Sequence, residues 1–124
     1  MDNARGIGLG NDTEPGQRTY SDQPCSGASE ASHYGGLVRN NMVAVSDPGV
    51  FASSSGMDTG IFMWNACGAT VAHNTVASTS EPFTSIEWRY PSSDPLLINN
   101  LATHPGSGRT PGTQRWRATV AGRQ

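Results

Sequence analysis

Two short segments hold the side chains best suited to chemistry, GIFMWN from Gly60 and SIEWRY from Ser85. Both read as a small residue, Ile, any residue and then a large apolar residue, and GIGLG from Gly6 follows the same grammar. Alternate residues of a strand face opposite sides. Placing Ile61, Met63, Ile86 and Trp88 inward leaves Phe62, Trp64, Glu87 and Arg89 outward, with Gly8 and Gly10 outward in the first segment. In-register stacking then gives one column of Gly8, Phe62 and Glu87 and a second of Gly10, Trp64 and Arg89. Aromatic faces stack on sugar rings and an arginine fork holds a carboxylate, so such a surface fits a groove for an acidic saccharide. The competing reading is that Phe62 and Trp64 are covered by another part of the chain, with Glu87 and Arg89 in surface pairs contributing about 0–1 kcal/mol.

The elements that must position these residues show themselves as repeats. LVRNNMVAV from Leu37, TVAHNTVAS from Thr70 and LLINNLATH from Leu96 align Asn41, Asn74 and Asn100, each preceded by a polar residue, Asn40, His73 or Asn99. Ile61 precedes Asn74 by 13 positions and Ile86 precedes Asn100 by 14, so one unit closes within about 25 residues. Ile7 precedes Asn41 by 34, which implies an insertion of roughly 20 residues, within residues 11–36. Short alternating strands with Asn at the bends, repeated at this length, describe a β-solenoid, in which each coil buries its inner face only by stacking on its neighbours. Asn tolerates the left-handed conformation of a strand-to-strand bend. Stacked at a spacing of about 4.8 Å, Asn41, Asn74 and Asn100 would also bond one another's amides in a ladder.

Composition points the same way. Of 124 residues, 35% are hydrophobic and 15% charged, with 15 Gly, 8 Pro and no Lys. Helix formers are too scarce for a bundle or a βαβ protein. No run reaches the ~18 apolar residues of a membrane span, and MDNARGIGLG lacks the basic and apolar regions of a signal peptide. Residues 1–104 carry ten acids against four Arg, whereas 105–124 carry four Arg and no acid. That tail reads as weakly ordered or capping; four scattered Arg are a poor footprint for nucleic acid.

The grammar GI-x-L followed by V-x-x-N-x-V resembles the right-handed parallel β-helix repeat proteins of the pectate-lyase-like superfamily, over roughly residues 5–104. The resemblance implies an all-β chain: a right-handed parallel β-helix of about three coils over 1–104, with a ~20-residue loop insertion in the first coil. It further implies a secreted or cell-envelope protein that binds or processes polysaccharide, its partner being a glycan surface. The alternative is a non-catalytic structural or adhesion module, or an inactive truncated fragment. About three coils are near the minimum for a solenoid, and its open ends call for further coils or self-association. The loss of pattern after Asn100 fits a fragment whose tail is read in a shifted frame, or a natural cap in which WRATVAG forms one strand.

A polysaccharide lyase must neutralise the uronate carboxylate, remove the proton α to it and protonate the leaving oxygen. β-Helix lyases use Arg or Lys as base, commonly with calcium on the acid. Without lysine, a lysine-base scheme is excluded, and the weak catalytic candidates are Arg89, Glu87, His33 and Tyr34; Arg39 points outward from a different strand. No cofactor is required, but Asp12, Glu14, Asp22 and Glu30 of the insertion are candidate oxygens for Ca²⁺, although not at EF-hand spacing. No His or Cys spacing suggests zinc. A glycoside hydrolase needs two carboxylates about 5–5.5 or 6.5–9.5 Å apart, and Glu87 is the only acid in an outward strand position, so a lyase is favoured over a hydrolase. His73 occupies the slot of Asn40 and Asn99 and reads as a corner residue. Cys25 in the insertion and Cys67 after GIFMWN fit either a disulfide pinning the loop or two free thiols.

Overall fold

Segments rich in β-branched and alternating apolar residues become strands, and strands of successive repeats lie side by side in parallel. The computed structural model describes residues 2–11, 18–19, 21–22, 25, 30–54, 56–90, 92–104, 107–108 and 115–120. A first unit contains β1 (Arg5–Gly10), β2 (Arg18–Thr19), β3 (Glu30–Ala31), β4 (His33–Tyr34), β5 (Leu37–Arg39) and β6 (Met42–Val45). A short helix, α1 (Pro48–Ala52), capped by Asp47 on the Gly49 N–H, leads to the second unit. That unit contains β7 (Thr59–Trp64), β8 (Ala66–Cys67), β9 (Thr70–Ala72) and β10 (Thr75–Ser78). β11 (Thr84–Arg89) and β12 (Leu96–Ala102) form the third, followed by β13 (Ser107–Gly108) and β14 (Arg115–Val120).

The chain is all-β with parallel sheets. One sheet runs β1-β7-β11-β13; another runs β5-β9-β12-β10-β6, with β14 also on β12. A third, short pairing of β4 with β8 continues as a parallel bridge between Cys67 and Ser93. The antiparallel pair β2 and β3 lies within the insertion. The expected bounds of that insertion, 11–36, need correction. His33 and Tyr34 pair with Ala66 and Cys67, so they belong to the repeating unit, and the extra segment lies between Gly10 and His33. Of the tail, β13 extends β11 and β14 pairs with β12, adding a further rung to both main sheets. No helix among the described residues is long and apolar enough to cross a membrane.

Register makes the core. Ile7, Ile61 and Ile86 align, as do Leu9, Met63 and Trp88, Val38, Val71 and Leu97, and Val43, Val76 and Ala102. The middle residue of each row is the best buried, because the middle unit lies between the first and third units along all of its strands. The small residue that opens each GIGLG-type segment also has a reason. A Cβ added at Gly6 would collide with Gly60 O, and one added at Gly60 would meet a Val76 methyl and lie 2.8 Å from Ser85 O. Successive units approach too closely there for a larger side chain.

Each unit turns at residues in the left-handed region. Asn65 and Tyr90 follow the aligned Trp64 and Arg89; Gly35, Gly68 and Asp94 follow Tyr34, Cys67 and Ser93; Asn40, His73 and Asn99 follow Arg39, Ala72 and Ile98. At the last of these bends two roles that the sequence combined in one asparagine are divided. The left-handed residue is the preceding one, and Asn41, Asn74 and Asn100 form the ladder. Asn41 donates from both its backbone N–H and Nδ2 to Asn74 Oδ1, and Asn74 does the same to Asn100 Oδ1, all at 3.0 Å. Asn74 Nδ2 also reaches Val38 O and Ala72 O, which satisfies backbone carbonyls where the strands break.

Candidate functional site

β7 and β11 pair Phe62 with Glu87 and Trp64 with Arg89, and β1 sets Gly8 beside Phe62 and Gly10 beside Trp64. The four expected outward residues are thus brought together, but two of them are not accessible. Trp64 is 4% exposed and Glu87 2%. This corrects the open groove of four contact residues, because the pair is withdrawn from any ligand that stacks from solvent. The room left by Gly8 is taken by the Phe62 ring, which lies where a side chain would be. Phe62 in turn packs on Trp64 with ring centroids 4.4 Å apart.

A buried carboxylate needs partners, because leaving it uncompensated in an apolar setting is costly. Glu87 has two. Its Oε2 accepts the Trp64 indole N–H at 2.8 Å, and its Oε1 lies 2.8 Å from Arg89 Nε. The second contact is an ion pair rather than an aligned hydrogen bond, since the N–H direction misses the oxygen. Both carboxylate oxygens are therefore engaged, and Glu87 is not placed as a free general acid or base.

Arg5 and Phe83 from outside the two segments, and Tyr90 at the end of SIEWRY, complete the patch. The Arg5 guanidinium stands 4.7 Å from the Trp64 ring centroid and that of Arg89 4.8 Å, both cation–π distances. Arg89 also lies 5.6 Å from the Phe83 ring and 5.4 Å from that of Tyr90, which meets Trp64 edge-on. Arg5 is held by Asp58, Nε to Oδ2 at 2.6 Å. What remains on the surface is Arg5, Arg89, the half-buried Phe62 and Tyr90, and Phe83, which is 67% exposed. Sequence reading missed Arg5, Phe83 and Tyr90. Arg5 sits two residues before an inward Ile and Phe83 three before another, a spacing that registers only once the sheet is formed.

The other catalytic candidates lie elsewhere. His33 and Tyr34 are in β4, on the short sheet with β8, while Glu87 and Arg89 are on β11. His33 Nε2 is buried beside Gly36 with no hydrogen-bond partner among the described residues, and Tyr34 is exposed. Arg39 is exposed on β5, and His73 occupies the bend after β9. Cys25 and Cys67 form a disulfide, and both are buried with Ala31, so the insertion is tied to the second unit. Of the candidate calcium ligands, Asp12 and Glu14 and the side chain of Glu30 lie outside the described residues, and Asp22 is exposed. Among the described residues no group of three or more His, Cys, Asp or Glu is placed to hold a metal ion. No family model, no curated protein and no solved structure matches the chain.

Proposed function

We propose that this protein is a right-handed parallel β-helix, of the kind found in pectate-lyase-like repeat proteins, that binds an acidic polysaccharide without cleaving it. Parallel pairing of successive units, three left-handed bends in a unit and the asparagine ladder support the fold. The observation that carries the binding reading is the pair of guanidiniums, Arg5 and Arg89, held within 5 Å of one indole while their side chains stay 54% and 31% exposed. Uronate carboxylates are recognised by such donors, and Phe83 beside Arg89 offers an open ring for a sugar face. Engagement of both Glu87 oxygens favours binding over processing. A disulfide supports a secreted or cell-envelope location, where thiols are oxidised.

Calorimetric titration with polygalacturonate fragments, set against neutral cello-oligosaccharides and combined with an ultraviolet assay for unsaturated uronate, tests this reading. Acidic chains bind and no product forms. Arg5→Ala and Arg89→Ala each weaken binding about tenfold, the value of one charge-assisted hydrogen bond. Equal affinity for neutral chains, or no binding of any acidic chain, overturns the reading; unsaturated product would reinstate a lyase.

A further inference from the structure

The asparagine ladder has a direction, and it is unfinished at one end. Asn41 and Asn74 each direct a backbone N–H and an amide toward the Oδ1 of the next unit. Asn41 Oδ1 itself accepts nothing among the described residues. It opens on the outer side of the first unit, where β1, β4, β5 and β6 each pair with a strand on one side only among the described residues. Asp2 covers part of this edge, donating its N–H to Ala44 O and accepting from the Ser46 and Asp47 N–H groups at the far end of β6. Between them, Gly6, Ile7, Asn41, Met42 and Val43 line an open cleft of about 220 Å³.

The opposite end of the stack is complementary. There β14 sets Ala118 beside Asn100, so the ladder's next position has no amide but keeps its backbone N–H, the donor that Asn41 and Asn74 both supply to a neighbouring Oδ1. Charge also differs along the sequence. The chain up to Asp47 holds six acids and three Arg, whereas residues 105–124 hold four Arg and no acid, two of those Arg within β14. All pairings between units among the described residues are parallel, so only a head-to-tail arrangement continues them.

We propose that a second copy of this chain docks on the free edge of the first unit, β14 of one copy pairing in parallel with β5 and β6 of the next, with the residue 118 N–H on Asn41 Oδ1. The contact is heterologous, so copies add in a row rather than closing as a two-fold dimer. Saccharide binding is not required for it.

Register supplies the test. Leu37, Thr70, Leu96 and Arg115 form one aligned row, which places Arg115 of one copy beside Leu37 of the next. Leu37→Cys and Arg115→Cys are made in separate proteins, each retaining the Cys25–Cys67 bond, and are oxidised alone and mixed. The mixture forms disulfide-linked dimers at least about tenfold faster than either protein alone, as a heterologous contact requires. Sedimentation of the unaltered protein shows mass rising with concentration, and raising the salt from about 0.05 to 0.5 M weakens association several-fold by screening the opposed charges. Cross-linking of either variant with itself as fast as in the mixture overturns the proposal in favour of a symmetric contact. A monomer at every soluble concentration in low salt overturns it outright, whether or not the cysteine variants fold.

Discussion

Trp64 on β7 donates its indole N–H to Glu87 Oε2 on β11, 2.8 Å away, and both side chains are nearly withdrawn from solvent. The strand register sets Trp64 directly opposite Arg89 and Glu87 opposite Phe62, so this bond runs diagonally and ties the two columns together. A carboxylate read from the sequence as an outward ligand for substrate is thus the anchor of an aromatic and arginine cluster.

Substitutions of Glu87 separate its two roles. Glu87→Gln keeps an acceptor for the indole and loses the charge facing Arg89; it costs about 1–2 kcal/mol, because Arg89 is partly solvated. Glu87→Ala strands the buried indole N–H as well and costs about 2–4 kcal/mol. Urea midpoints measure both. Equal losses for the two variants would show that the Trp64 hydrogen bond contributes nothing.

The ladder makes an unequal demand on its members. Asn74 is buried, and its amide serves Asn41, Asn100, Val38 O and Ala72 O, so Asn74→Ala leaves several polar groups unpaired in the interior and costs about 2–4 kcal/mol. Asn41, at the open end, is half-exposed, and Asn41→Ala costs about 1 kcal/mol. Equilibrium unfolding of both variants should preserve that order. The reverse order would mean that strand pairing, and not the amides, holds these bends.

Glycine substitutions grade by what stands in the way. At Gly6 the obstacle is Gly60 O, a backbone atom that cannot step aside, and Gly6→Ala costs at least about 1–3 kcal/mol. At Gly8 it is the outer part of the Phe62 ring, which can rotate away. Gly8→Ala therefore costs less, but it shifts the Phe62 contact with Trp64 and alters tryptophan fluorescence. An unchanged emission spectrum in folded Gly8→Ala would contradict this packing.

Asp2 provides the acid response. Its carboxylate accepts the backbone N–H groups of Ser46 and Asp47, which hold its pKa below the ordinary 3.8. A lowered folded-state pKa means that the stabilisation is fully present above 3.8 and is lost as pH falls through the lowered value. The melting temperature of Asp2→Ala should lie below that of the unaltered protein at pH 6, and the gap should close in strong acid. A gap that persists there would assign the effect to something other than the carboxylate.

The alternation of GIFMWN and SIEWRY was enough to place Ile61, Met63, Ile86 and Trp88 in the core, because a strand's two faces follow from its period alone. The spacing of Asn41, Asn74 and Asn100 was enough to align the units, since identical side chains at one bend stack when the units do. Both are local or periodic properties, and linear order carries them. Length was a poorer guide at the insertion, whose end could not be told from the short strand His33–Tyr34. Two residues carry no readable period, and only their partners Ala66 and Cys67 assign them to the repeat.

Alternation specifies the side of the backbone from which a residue leaves, but not what lies on that side. Whether Trp64 and Glu87 face solvent depends on atoms brought over them from distant parts of the chain, and folding buried both while leaving Phe83 and Arg5 in the open. The two cysteines were equally compatible with separate thiols until the insertion was folded back on β8. Arg5, Trp64 and Arg89 lie on three different strands, so their convergence is a property of inter-unit register, which depends on chain-wide packing and on no single segment.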